Sequence, residues 1–293
     1  MLFLTHIPAP PLSNFVDYFW LVEGEPRESR NGWIVPSGTM EIVVNLREDE
    51  IRIHEEARPD RWKRFSGAVV SGAYSSPFAC DTTQRQTVFG VHFKPGGAYP
   101  FLGALPGELT DTHVNAAELW GRSVTELRDR LSDAPTSSER FQVAEKFLAD
   151  RLRHGGARHY AVTAALTLFG PAGIGMSVRE VAGEIGMSQR HIIKLFTDQV
   201  GLKPKLFCRL LRFQLARTLV EERIESSHLD RKDQAHAATD LDWAQLALEC
   251  GYFDQSHLIR DFQQFSGFTP AGFLHEKGAQ RPLPGHLPLL LEM

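Results

Sequence analysis

The feature that most constrains the fold is an internal repeat, in which Ala182 to Gly201 and Ala247 to Gly267 are two copies of one unit. In the first copy Val178, Val181, Ala182 and Ile185 stand at i, i+3, i+4 and i+7, and Ser177 with Glu180 makes a capping box that starts the helix. Trp243, Leu246, Ala247 and Cys250 repeat that spacing behind Asp242 and Gln245, which form a similar cap. Each helix is expected to end at a glycine, Gly186 or Gly251, where a left-handed residue lets the chain turn sharply. The next helix starts from Ser188 or Asp254, both good N-caps, and carries Ile192, Leu195 and Phe196 in one copy and Leu258, Phe262 and Phe265 in the other. Gly201-Leu202-Lys203-Pro204 then matches Gly267-Phe268-Thr269-Pro270, where proline favours the first turn of a further helix, and Phe207 matches Phe273. The offset between copies is 65 before the turn and 66 after it, so the second turn carries one extra residue.

A helix, a short glycine turn and a second helix with an apolar inward stripe is the helix-turn-helix arrangement, whose second helix can enter the major groove of DNA. One such unit is equally well a hairpin in an ordinary helical bundle; two related units weigh against that. Between them Pro204 to about Glu225 reads as a long helix with Phe207, Leu210, Leu211, Leu215 and Leu219 on its apolar side, a strut fixing the distance between the two. The formal net charge of -4 argues weakly against a nucleic-acid partner. Its distribution argues the other way: from Gln189 to Arg217 the seven cations Arg190, Lys194, Lys203, Lys205, Arg209, Arg212 and Arg217 face only Asp198, a balance of 7 minus 1, or +6. A solvated charged face is the ordinary alternative for such a stripe.

At 293 residues two domains are expected, and 42% hydrophobic with 23% charged residues is the composition of a soluble globular chain. The N-terminal stretch has no basic n-region and no run is long enough to span a bilayer, so the expectation is a cytoplasmic protein with no membrane partner. The three cysteines, Cys80, Cys208 and Cys250, are far apart and form no CxxC, which indicates neither a disulfide framework nor structural zinc. Short apolar stretches at Trp33 to Pro36, Met40 to Leu46, Val69 to Ser71 and Val88 to Phe93 predict strands of a small sheet or barrel. Helical spacing follows over Ala116 to Leu131, Glu139 to Leu152 and Tyr160 to Phe169, with breaker clusters His154-Gly155-Gly156 and Gly170-Pro171-Ala172-Gly173 around the last. The fold class is therefore α+β: a β domain with a helical extension over 1–155, an all-α domain of two helix-turn-helix units over 156–278, and a proline-rich tail over 279–293.

The C-terminal third, about Ser177 to Leu274, resembles the AraC/XylS family of bacterial regulators, above all in the run from Ala247 through Gly251-Tyr252-Phe253-Asp254-Gln255-Ser256-His257-Leu258 to Phe262 and in Gly267-Phe268-Thr269-Pro270. The resemblance implies two recognition helices in successive major grooves of double-stranded DNA, with Arg190, Ile193 and Lys194 facing bases in the first and Gln255, Ser256, His257 and Arg260 in the second. Lys205, at the start of the linking helix, is placed for a phosphate contact. RNA polymerase is the implied protein partner, with a small-molecule effector, a homodimer and the sign of regulation, activator or repressor, left open. The stretch Ile224 to Asp240 departs from the family in being longer and more polar. The N-terminal half is similar to the cupin-like sensor domain of a subgroup, in Pro36-Ser37-Gly38 before the strand at Met40 and in Phe93-Lys94-Pro95-Gly96-Gly97-Ala98. Aromatic residues near the expected strands, Trp33, Phe89, Phe93 and Phe101, serve either an apolar effector or the core.

Three rival readings have some footing. A cupin-like metal enzyme would use His6, His54, His92 and His113, but no HxH set or His-x-x-x-His pair is present, so neither metal, cofactor nor catalytic residue is expected. A methyl-accepting repair protein would need a cysteine cluster, and Cys80 stands alone. A protein-interaction module that has lost DNA contact is favoured by the acidic second unit, with Asp240, Asp242, Glu249, Asp254 and Asp261.

Overall fold

A computed structural model describes residues 2–24, 31–55, 58–81, 87–170, 175–226, 241–279 and 290–292. Among the described residues eleven strands make two antiparallel sheets. The first contains β1 (Leu2–His6), β2 (Val16–Glu23), β4 (Glu41–Asn45), β7 (Ala68–Ser71), β9 (Thr87–Phe93) and β10 (His113–Asn115), in the order β1-β2-β9-β4-β7-β10. The second contains β3 (Asn31–Ile34), β5 (Ile51–Glu55), β6 (Arg58–Phe65), β8 (Phe78–Asp81) and β11 (Leu290–Glu292), in the order β11-β3-β8-β5-β6. Ile53, Phe65, Val69 and Cys80 join the inner faces of the two sheets. The four strands read from the sequence are present as β3, β4, β7 and β9. The others were missed for identifiable reasons: β2 is apolar without alternation, and β6 is an edge strand on which Arg61, Lys63 and Arg64 are exposed.

Helices α1 (Tyr99–Leu102), α2 (Ala116–Trp120), α3 (Arg122–Asp133) and α4 (Ser137–His154) follow. The single helix expected over Ala116 to Leu131 is two, because Gly121 sits at φ 58 and ψ -138, outside helical geometry. α4 begins at a Thr136–Glu139 capping box and packs Phe141 against Phe89 of β9, with ring centroids 5.8 Å apart. α5 (Tyr160–Phe169) packs on α6 (Val178–Ile185) and α7 (Gln189–Val200), and the 23-residue α8 (Pro204–Ser226) leads to α9 (Trp243–Glu249), α10 (Gln255–Ser266) and α11 (Pro270–Ala279). Most of the stretch Ile224 to Asp240, and residues 280–289 of the tail, lie outside the described residues.

The core is continuous across both halves of the chain. Phe19, Phe89 and Phe101 belong to the same buried cluster as Phe196, Phe207, Phe213 and Phe262. α8 runs through it and buries Phe207, Leu210, Phe213, Ala216 and Val220, each at most 1% exposed. The sequence pointed instead to Phe207, Leu210, Leu211, Leu215 and Leu219; of these Leu211, Leu215 and Leu219 are only half-buried. The buried stripe is set from two sides, with Phe213 against Phe262 and Phe265 of α10 and other residues of α8 against the N-terminal half. Phe207 and Leu210 meet Gly38, Gln214 Nε2 donates to the Pro36 carbonyl at 2.5 Å, and Arg217 is turned toward Tyr18.

Candidate nucleic-acid interface

Both turns close by the same bonds. In the first unit the Ser177 hydroxyl accepts from Glu180 N at 3.2 Å while Glu180 accepts from Ser177 N at 2.7 Å, which starts α6. Its end is set by Gly186, at φ 75, after which Met187 N donates to the Ala182 carbonyl at 2.9 Å. α9 has the equivalent end, with Gly251 at φ 73 and Tyr252 N donating to the Ala247 carbonyl at 2.8 Å. A left-handed residue followed by this long backward bond terminates a helix and redirects the chain, and glycine adopts the required φ without Cβ strain. The start of α9 departs from the expected box: Asp242 caps Ala244 N and Gln245 N, but the Gln245 side chain turns to Glu249. Ser188 and Asp254 then cap α7 and α10 through His191 N at 3.3 Å and His257 N at 2.8 Å. Val181, Ala182, Ile192 and Phe196 in one unit, and Leu246, Ala247, Leu258 and Phe262 in the other, are buried at matching positions.

Each second helix is anchored at its C-terminal end to the N-terminal half. Gly107, in a 3-10 turn at Pro106–Leu109, lies so close to α7 that a Cβ there would stand 2.7 Å from the Thr197 carbonyl, and Thr110 Oγ1 donates to the Gly201 carbonyl at 2.5 Å. Trp33 of β3 donates from Nε1 to the Ser266 carbonyl at 2.9 Å, and its ring covers Gly267. The N-terminal turns of α7 and α10 point away from these anchors into solvent. Arg190 and Lys194 are exposed on α7, with Ile193 half-buried, and Gln255, Ser256, His257 and Arg260 are exposed on α10; Lys205 is exposed in the first turn of α8.

The electrostatics differ from the basic stripe read in the sequence. Arg217 is largely covered, desolvation lowers its pKa, and Glu221 lies 3.8 Å away. Arg209 binds Asp261 at 2.6 Å and Gln264 at 2.6 Å, tying α10 to α8, and Arg212 lies over the Tyr252 ring at 5.4 Å. Lys194 pairs with Asp198 at 2.5 Å, one turn along. Arg190, Lys203 and Lys205 remain as exposed cations of the stripe. The acidic residues of the second unit are also engaged: Asp242 and Asp254 as caps, Glu249 with Arg223, and Asp261 with Arg209, while Asp240 lies outside the described residues. Of the carboxylates near Arg260 in sequence, Asp261 and Glu249 are thus held by other arginines and Asp254 caps α10.

One residue of the interface escaped the sequence reading. Phe253 is 84% exposed beside Tyr252, which is 5% exposed, and its ring centroid is 6.2 Å from that of His257. Since Tyr252 takes the place of Met187 in the closing bond, Phe253 is the extra residue of the second turn, and the offset change from 65 to 66 was its signal.

Of the histidines weighed as metal ligands, His113 accepts or donates at Nδ1 to Ser71 Oγ at 2.9 Å, stacks on Tyr74 and meets Phe78 and Phe65. Burial lowers its pKa to about 3, so it is a neutral packing group. His92 stacks on Tyr18 and bonds Thr39 at 3.2 Å. Among the described residues no group of three or more His, Cys, Asp or Glu could hold a metal ion, and no helix is long and apolar enough to cross a membrane.

These features define a β domain joined to a pair of helix-turn-helix units. Residues 234–275, which include the second helix-turn-helix unit, match the bacterial regulatory helix-turn-helix proteins of the AraC family, and an AraC-type helix-turn-helix implies a DNA-binding transcription regulator. Residues 4–115 match a domain of unknown function, DUF6597. No curated protein matches the sequence. Solved structures similar to the chain include ToxT from Vibrio cholerae bound to an unsaturated fatty acid, at 13% identity over 93% of this chain and 94% of that one, TM-score 0.43. A second ToxT crystal form gives 9% identity over 94% and 98%, TM-score 0.44. ToxT bound to (E)-4-(8-methylnaphthalen-1-yl)but-3-enoic acid gives 10% over 94% and 98%, TM-score 0.43. Likeness at this level assigns no residue or ligand to the present chain.

Proposed function

We propose that the chain reads a specific DNA sequence by placing α7 and α10 in successive major grooves on one side of the duplex, about 34 Å apart. The observation that carries this reading is the pair of identically closed turns whose second helices are fixed at their C-terminal ends and bare at their N-terminal ends. Arg190, Ile193 and Lys194 read bases in the first groove; Gln255, Ser256, His257 and Arg260, with Phe253, read them in the second. Lys205 holds a phosphate. Residues 1–155 form the effector or dimerisation half, 156–278 the DNA-binding half and 279–293 a tail, with RNA polymerase as the protein contacted on DNA in a cytoplasmic activator.

Selection of bound sequences from random duplexes supplies the cognate site, and mobility shifts then separate two kinds of contact. Arg260→Ala is expected to cost about 1–3 kcal/mol on the cognate site and to relax preference at one or two base pairs, because a guanidinium can engage guanine O6 and N7 together. Lys205→Ala is expected to weaken cognate and random duplexes alike and to lower the salt slope by about one. Equal losses on both duplexes for Arg260→Ala would reject its role, and a chain that retards no duplex at low salt would leave the protein-interaction reading in its place.

A further inference from the structure

We infer that the cleft bounded by α1, α3 and α4 is a binding site for a small organic anion carried on a flat apolar body, and that its occupancy is felt by α7. The inference rests on the effector half of the reading above and gives it a place and a chemistry. The cleft encloses about 810 Å³, within the range of small-molecule sites, and Tyr99 and Phe147 supply apolar walls. The space between the two sheets, bounded by Ile34, Val43 and Phe78, is about 60 Å³, too small for an organic effector.

Arg151 gives the cleft its chemistry. Its Nε donates to the Phe101 carbonyl and its Nη1 to Ser123 Oγ, both at 3.2 Å, while the guanidinium carbon lies 4.3 Å from the Trp120 ring centroid and 5.6 Å from that of Phe147. These contacts fix the plane of the group and leave part of its five-donor fork for something else. Among the described residues no carboxylate pairs with it: Asp150 is held by Arg153, and Glu108 and Glu126 are exposed at the rim. Half-burial lowers its pKa through desolvation, yet a guanidinium stays charged, so a cation without a counterion faces a cleft with aromatic walls. A carboxylate or sulfonate on a flat ring satisfies both features, the anion on the fork and the ring along Phe147 and Tyr99.

The far side of the same cleft explains why occupancy would matter. Leu105 and Glu108 line it, and they belong to the turn whose Gly107 abuts the Thr197 carbonyl and whose neighbour Thr110 holds the Gly201 carbonyl. A ligand that displaces this turn displaces the C-terminal anchor of α7.

Calorimetry on the full chain with benzoate, 3-phenylpropanoate and indole-3-acetate, each beside its amide, tests the site. At least one carboxylate should bind by millimolar concentration, roughly tenfold tighter than its amide, as expected of a charge-assisted contact. Arg151→Gln should remove that margin, and Ala104→Trp, which places a bulky ring on the cleft wall while keeping the arginine, should remove binding altogether while far-ultraviolet circular dichroism stays unchanged. Binding should also shift the affinity of the wild-type chain for its selected duplex. Binding by none of the carboxylates, a margin retained in Arg151→Gln or binding retained in Ala104→Trp would overturn the site, and binding with unchanged duplex affinity would overturn the link to α7. The unliganded chain is assayed on DNA in the same preparation, so a failure of the DNA-binding reading shows separately from a failure of the site.

Discussion

At the scale of residues, Phe253 is the side chain whose placement asks most for an explanation. An aromatic ring left 84% in water gains nothing for the fold, yet it stands immediately before the cap of α10 and beside His257. Thymine presents a methyl group in the major groove, an apolar mark that such a ring can read. Replacing thymine by uracil one position at a time in the selected duplex should therefore reveal a position where the wild-type chain loses about 0.5–1 kcal/mol, the value of one buried methyl. Phe253→Ala should bind both versions of that position equally. If the variant retained the same methyl dependence, Phe253 would not be among the base contacts. Lys194 and Arg260 differ in the same setting. Lys194 must leave Asp198 before it can reach a base, whereas Asp261 and Glu249 are held by Arg209 and Arg223, so Lys194→Ala is expected to cost less on the cognate duplex than Arg260→Ala.

At the scale of elements, α10 is tied to α8 by one ion pair as well as by the buried rings of Phe262 and Phe265. Asp261 is buried on the inner side of α10, and Arg209 reaches it from α8 with Nη2 at 2.6 Å and Nε at 3.1 Å while lying over Phe265 at 5.2 Å. Removing the carboxylate leaves a partly desolvated guanidinium without its acceptor, so Asp261→Ala should destabilise the chain by about 2–4 kcal/mol in denaturant unfolding. A loss under about 1 kcal/mol would mean that apolar packing alone seats α10. The helical units were legible in the sequence because their signals are local: a capping hydroxyl, a glycine that must adopt positive φ, and core residues three and four apart. The pairing of Arg209 with Asp261 was not, since the two residues lie 52 positions apart and each looked like surface charge on its own helix. The acidic residues of the second unit were legible only as charges for the same reason; that Asp242 and Asp254 cap helices and that Glu249 pairs with Arg223 is decided by the fold.

At the scale of the whole molecule, the sequence suggested a sensor half and a reading half joined by a strut, and it gave no sign that the first grips the second. Trp33 reaches Ser266 across 233 positions, Thr110 reaches Gly201 across 91 and Gln214 reaches Pro36 across 178, separations at which no periodicity reports a contact. The buried stripe of α8 was misassigned because contacts of this kind decide it, Phe213 against α10 and Gln214 against Pro36. They also carry a consequence for DNA. α8 alone fixes the distance between the two units along its axis, but the Trp33 and Thr110 anchors fix how far each second helix can swing about it, so the chain should demand one spacing of its two half-sites. Lengthening the separation in the selected duplex by about five base pairs turns one half-site to the opposite side of the helix and should cost the wild-type chain about tenfold or more in affinity. A change of a single base pair, which twists the half-sites only slightly, should separate the two sources of rigidity. Trp33→Phe with Thr110→Val removes both anchoring hydrogen bonds while leaving α8 and every base-facing residue intact, and this double variant should accept the one-base-pair change with less loss than the wild-type chain. Identical losses in the two proteins would show that α8 sets the spacing unaided and that the N-terminal half holds the reading helices without constraining them.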